Sequence, residues 1–172
     1  YTVFLTSDHG VAHIPLFGKA HKLPGGSFDD TEIVDSMNAS LNTLYGKSPL
    51  IKGIYNYQVV LNKAMIDTER LPENEIIKWV IDHLQKEPAV AQVFETSKIS
   101  SAPVARMQKE MMANGYYPPR SGQVQLVLKP GFVEGVGIGT SHGLWNPYDS
   151  HIPLLWYGWG INHGSSNREV YM

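Results

Sequence analysis

Three features predict an α/β fold. Short apolar, β-branched runs alternate along the chain with stretches of helical periodicity. Turns rich in Gly and Pro separate them. The 172 residues, 42% hydrophobic and 17% charged, are enough for one domain with its own core. No internal repeat or linker divides them, so residues 1–172 read as a single unit.

The elements follow in order. Residues 3–6 are an apolar run that reads as a buried parallel strand, ending in the loop Ser7-Asp8-His9-Gly10. Residues 22–28 contain Pro24-Gly25-Gly26 and read as an exposed loop. Asp29 or Asp30 caps a helix running to about Tyr45. Its Ile33, Val34, Met37, Leu41 and Leu44 share one face, and Gly46 is its stop. Residues 51–55 and 58–62 are β-rich around Asn56-Tyr57, the pattern of a hairpin.

Pro72-Glu73 opens a second helix with Ile76, Ile77, Val80, Ile81 and Leu84 on one face, and Pro88 closes it. Residues 90–95 are a strand. Ser101 and Pro103 start a third helix, with Val104, Met107, Met111 and Met112 inward and Gly115 at its end. Residues 123–128 are a strand, 135–143 a Gly-rich loop, and 152–157 a final strand. The chain opens on an apolar run at Tyr1 and closes at Met172 without a cap, as expected of a piece of a longer protein.

Composition narrows the chemistry. The net charge is −2, and no Lys/Arg run interleaves with aromatics, so no nucleic-acid surface is expected. No apolar stretch approaches the roughly 18 residues that span a membrane. Cysteine is absent, which removes disulfides and thiolate ligands. Any metal must use His, Asp, Glu or backbone oxygen.

Two segments could hold one. Ser7-Asp8-His9-Gly10 follows a strand, and ligand sites of open α/β sheets gather at such strand ends. In a tight loop Asp8 and His9 can face one ion, a donor pair that suits zinc. The plainer alternative is a capping Asp8 beside an exposed His9. The second segment is Gly139-Thr-Ser-His142-Gly143, followed by Asp149 and His151, which could orient a ligating imidazole. Its plainer alternative is a set of loop residues bonded to backbone.

The second segment also matches G-x-S-x-G, the elbow of serine hydrolases, with Asp149 and His151 or His163 in the right chain order. An elbow needs a strand before Ser141 and a helix after it. Gly135-Val-Gly-Ile-Gly139 is a poor strand, and Leu144-Trp-Asn-Pro147 does not open a helix, which weighs against that reading. Ile14-Pro15 breaks the helical spacing from His9 to His13, His83 reads as a solvated or packing residue of a helix beside Asp82, and His21 and His163 lie in loops without a ligand signal. Arg120-Ser-Gly122 reads as a turn with a solvated arginine.

Taken together, Thr2-Val-Phe-Leu-Thr-Ser-Asp8-His9-Gly10-Val resembles the strand-plus-DHG motif of the alkaline phosphatase superfamily. It is closest to the nucleotide pyrophosphatase/phosphodiesterase-like branch. Gly139-Thr-Ser-His142-Gly143 with Tyr148-Asp149-Ser-His151-Ile-Pro153 resembles that branch's G-T-x-H-G … Y-D-T-H-V-P segment. Residues 120–131 look like its R-S-G-D strand, with Gln123 where Asp is common. The resemblance spans nearly the whole chain.

It implies part of an alkaline-phosphatase-like fold, a mostly parallel central sheet with flanking helices. It implies two zinc ions, Asp8 and His9 holding the one nearest the nucleophile and His142 the other. The Thr or Ser nucleophile and the remaining ligands belong to segments N-terminal to the DHG motif, so this stretch alone would be inactive. The implied substrate is a phosphate ester and the implied location periplasmic or secreted. A sulfatase or phosphosugar mutase of the same superfamily, or a non-catalytic α/β module with structural His and Asp, are the alternatives.

Overall fold

A computed structural model describes residues 1–135, 139–143 and 145–170. Its centre is a four-stranded antiparallel sheet of β3 (Ile51–Tyr55), β4 (Gln58–Leu61), β5 (Val90–Glu95) and β6 (Val124–Leu128), in the order β3-β4-β6-β5. Two-residue periodicity splits β6 between two cores. Val124, Leu126 and Leu128 face the larger one, and Val127 faces the smaller.

Helices α2 (Asp30–Tyr45) and α4 (Glu73–Leu84) cover the larger core. The Asp29 side chain caps α2 by accepting from the Glu32 N–H at 3.0 Å. Gly46, at φ 67°, ends it in the left-handed conformation that glycine adopts without strain. Met37 and Leu41 are fully buried, as are Ile76, Val80 and Leu84 of α4. Asn38 locks α2 to the sheet: its amide donates to the Ile51 carbonyl and its oxygen accepts from the Leu50 and Ile51 N–H groups.

The smaller core lies on the sheet's other face. There α5 (Arg106–Gly115) and a 3-10 turn at Thr96–Ser101 bury Met112 and Ile99 against Phe94 and Val127. Trp145 packs against both cores. The hairpin, the α2 and α4 helices and the β5 and β6 strands match expectation.

Other elements differ. Residues 15–20 form α1 (Pro15–Ala20), because Pro15 sits at a helix start, where its missing N–H costs nothing. The loop expected at residues 22–28 ends in β2 (Gly26–Phe28), which pairs in parallel with β7 (Phe132–Glu134). A short α3 (Lys63–Thr68) follows the hairpin. The third helix starts at Arg106, later than expected, and turns Met112 inward while Met107 and Met111 are exposed. Leu44 is also exposed, although Leu41 and Tyr45 of the same helix pack in or against the core.

The first strand departs furthest. β1 (Thr2–Thr6) is neither buried nor parallel; it pairs antiparallel with β8 (Leu154–Gly158) from the far end of the chain. An apolar run does not fix the direction of its partner. Phe4 opposes Trp156 on one face of this ribbon, with ring centroids 5.3 Å apart. Val3 and Leu5 oppose Tyr157 and Leu155 on the other, and all six side chains are exposed. The chain is α/β with flanking helices, part of a larger fold; among the described residues the strands are mixed, with β2 and β7 parallel and the other pairings antiparallel, where a mostly parallel central sheet was expected. No helix among the described residues is long and apolar enough to cross a membrane.

Burial separates two leucines of α2. Leu41→Ala should cost about 2–5 kcal/mol of stability, the usual range for a cavity in a packed core. Leu44→Ala should stay within about 0.5 kcal/mol. Urea denaturation of the two variants tests this, and equal losses would contradict the packing described.

Candidate metal centre

The β1–β8 pairing brings the two ends of the chain together. β1 delivers Ser7, Asp8, His9 and Gly10 into a tight loop. There the Ser7 hydroxyl donates to the His9 carbonyl at 2.7 Å, and Asp8 Oδ1 accepts from the His9 N–H at 3.0 Å. Asp8's own backbone N–H, then the neighbouring His9, hold its carboxyl below the usual aspartate value. It is a solvent-facing carboxylate, 3.6 Å from His9 Nε2.

The loop at 139–143 comes alongside. Ala12 N–H donates to the Ser141 carbonyl at 3.4 Å, and the Thr140 hydroxyl donates to the Ala12 carbonyl at 2.6 Å. The His9 and His142 rings stack with centroids 3.8 Å apart and planes 26° apart. In each, Nδ1 faces a backbone carbonyl: Gly10 at 2.9 Å for His9, Gly143 at 3.1 Å for His142. A carbonyl only accepts, so the neutral ring carries its proton on Nδ1. Nε2 is then the nitrogen of each ring left to ligate a metal, with the Asp8 carboxylate beside that of His9.

Asp149 ties the two loops. It lies on α6 (Pro147–Ser150) and is buried. Its carbonyl accepts from the Gly10 N–H and its Oδ1 from the Gly143 N–H, both at 2.8 Å. A Cβ on Gly10 would lie 1.9 Å from the Tyr148 carbonyl oxygen, so the approach requires glycine. Tyr148 anchors α6 by accepting from the Gly131 N–H at 2.9 Å. Beside these loops, a cavity of about 150 Å³ is bounded by Ala12, His13, Pro24, Gly131 and Tyr148.

Tyr57, at the tip of the β3–β4 hairpin, donates to the His142 carbonyl at 3.5 Å. Burial, and behind it the charges of Glu134 and Asp149, push its phenol up to about 12.

The predicted residues therefore divide. Asp8, His9 and His142 are brought together. Asp149 is adjacent, but its carboxylate meets a backbone N–H and not an imidazole. His151 is exposed at the end of α6, where its own N–H donates to the Pro147 carbonyl. The other histidines stay apart: His13 tilts against Phe17, His21 stacks on it, His83 stacks on Trp79, and His163 is exposed. The serine-hydrolase reading fails on geometry, since the Ser141 hydroxyl donates to the His142 carbonyl and Asp149 is held by Gly143. Parts of the Gly-rich loop, residues 136–138 and 144, lie outside the described residues, as do residues 171–172.

The donor chemistry of Asp8, His9 and His142 fits a divalent ion. Among the described residues, however, no three His, Asp or Glu side chains converge closely enough to enclose one. Sequence reasoning missed Tyr57 and Thr140. Thr140 sat inside a recognised motif, whereas nothing in the sequence connects Tyr57 to it.

The chain is 39% identical over its whole length to alkaline phosphatase PafA of Elizabethkingia meningoseptica, covering 32% of that protein. It is 33% identical to alkaline phosphatase PhoV of Synechococcus elongatus, again over its whole length and 31% of the relative. A Myroides odoratus protein named calcium-transporting ATPase is 39% identical, with 32% of it covered. The crystal structure of wild-type PafA superposes with a TM-score of 0.88 at 38% identity, over 98% of this chain and 32% of that one. The chain thus spans about a third of the length of the curated relatives it matches. No family model matches it.

Asp149→Ala should cost about 1–3 kcal/mol, because the Gly143 N–H loses its acceptor. Asp149→Asn keeps an amide oxygen there and should recover most of that loss. Thermal unfolding of the two variants checks this; equal destabilisation would show that the Gly143 bond is not what matters.

Proposed function

Because the chain is homologous to alkaline phosphatases over about a third of their length, we propose that the whole protein is a metal-dependent hydrolase of phosphate esters. Hydrolysis of a phosphate bond is also the chemistry shared by the two kinds of name its relatives carry. The observation that carries the reading is the meeting of His9 and His142, from opposite ends of the chain, each with Nδ1 turned to a backbone carbonyl so that Nε2 is the nitrogen left to ligate.

Asp8 and His9 would hold the ion beside the attacking oxygen, and His142 the ion beside the leaving oxygen. Two zinc ions, when bound, supply Lewis acidity at both oxygens of an in-line displacement at phosphorus. This chain's part is preparation. Asp8 is kept ionised, both imidazoles are kept in the tautomer that can ligate, and Asp149 fixes the spacing of the loops that present them. The Thr or Ser nucleophile and the remaining ligands would come from other parts of the protein. By analogy with the family, the protein would be exported to the periplasm or beyond.

In the full-length protein, His142→Ala and Asp8→Asn should each lower turnover of p-nitrophenyl phosphate more than about 100-fold, beyond the usual loss for a residue that only supports a ligand. Zinc content measured on the same preparations should fall. Unchanged turnover with unchanged zinc would mean these residues are structural. Residues 1–172 alone, assayed with added zinc, should show no turnover above background, and robust hydrolysis would show that the nucleophile had been misplaced.

A further inference from the structure

Tyr57 lies outside both loops that present ligands. It sits on the antiparallel sheet, at the second central position of a two-residue hairpin turn. Its φ is 60° and that of Asn56 is 49°. Such turns favour glycine there, because a side chain strains the left-handed backbone. Backbone strain of this kind persists where the surroundings enforce it and clusters at functional positions.

The surroundings do enforce it. The Tyr57 carbonyl accepts from the Leu126 N–H and from the Gln125 side-chain amide, both at 2.9 Å. The ring is buried beside Trp145, with centroids 6.3 Å apart. The hydroxyl donates to the His142 carbonyl. Glycine would satisfy the turn without strain, so what tyrosine adds is what its side chain touches.

That contact has a counterpart. The His142 carbonyl and the Gly143 N–H belong to one planar peptide unit. Tyr57 holds its oxygen, and Asp149 Oδ1 holds its N–H. Gripping a rigid plane at both polar ends fixes the His142 Cα and its Cα–C bond, the base from which the side chain departs. The ring is then set by its own Nδ1 bond to the Gly143 carbonyl.

We infer that Tyr57 is a positioning residue for the candidate ligand His142: the sheet reaches across through its hydroxyl and, with Asp149, fixes the peptide that aims the imidazole. The inference rests on the reading of His142 as a metal ligand. It makes the β3–β4 hairpin part of the metal centre's support.

The test uses the full-length protein and zinc as the probe. Tyr57→Phe keeps the ring and removes only the hydroxyl. Zinc affinity is read by competition with a chelator, and folding by thermal unfolding. Tyr57→Phe should melt with the parent and bind zinc about fivefold more weakly, the factor one ordinary hydrogen bond is worth. Its activity should recover at saturating zinc. If Tyr57→Phe follows the parent's zinc curve while His142→Ala loses zinc, Tyr57 does not position the ligand and the inference falls alone. If His142→Ala also follows the parent's curve, the metal reading falls and takes the inference with it.

Discussion

Asp149 is the constraint on which the candidate site depends. Its main chain takes the Gly10 N–H and its side chain takes the Gly143 N–H, so one residue spaces the two loops that carry Asp8, His9 and His142. The side chain does this from a buried position, with Oδ2 meeting no partner among the described residues. A buried carboxylate is tolerated only where its hydrogen bonds repay desolvation. The neighbouring glycines are the other half of the constraint. Cβ atoms there would sit 1.9 Å from the Tyr148 carbonyl oxygen and 2.6 Å from Asp149 Oδ2. The DHG and SHG motifs end in glycine because the loops pass too close for anything larger.

Two structural layers converge on this point. The β1–β8 ribbon supplies one ligand loop and brings the chain ends together. The antiparallel sheet supplies a packed platform, and its hairpin tip reaches His142 from the opposite direction. The platform is the better-covered layer, with helices over one face and the 3-10 turn and α5 over the other. The ribbon carries apolar side chains on both faces, as a strand pair inside an α/β sheet does. That pattern is in keeping with a chain spanning about a third of its relatives.

Much of this was legible in the sequence where a local pattern has one physical meaning. The Asp29 cap, the spacing of Met37 and Leu41, the Gly46 stop and the Asn56-Tyr57 turn each act within a few residues, and each element formed as read. The candidate ligands were named for a different reason. Asp8, His9 and His142 belong to motifs whose joint order is specific; the fold sets the His9 and His142 rings against each other, but the three side chains do not converge among the described residues. Partner direction was not legible, because β1 looks the same whether its neighbour is parallel or antiparallel. The inward face of α5 was misjudged for Met107 and Met111, since Val104, part of the expected stripe, lies before the helix begins. Tyr57 was invisible because its role is created by a contact 85 positions away along the chain. Asp149 was expected to orient an imidazole, but its partner is a peptide N–H, which no side-chain pattern reveals.

The central claim is that His9 and His142 are metal ligands through Nε2, oriented by loops that Asp149 holds together. Anomalous scattering at the zinc edge from crystals of the full-length protein tests it most directly. The account predicts two zinc peaks, one within about 2.0–2.2 Å of His9 Nε2 and an Asp8 oxygen, the other within about 2.0–2.1 Å of His142 Nε2. Zinc bound elsewhere, or peaks that leave both Nε2 atoms uncoordinated, would contradict it.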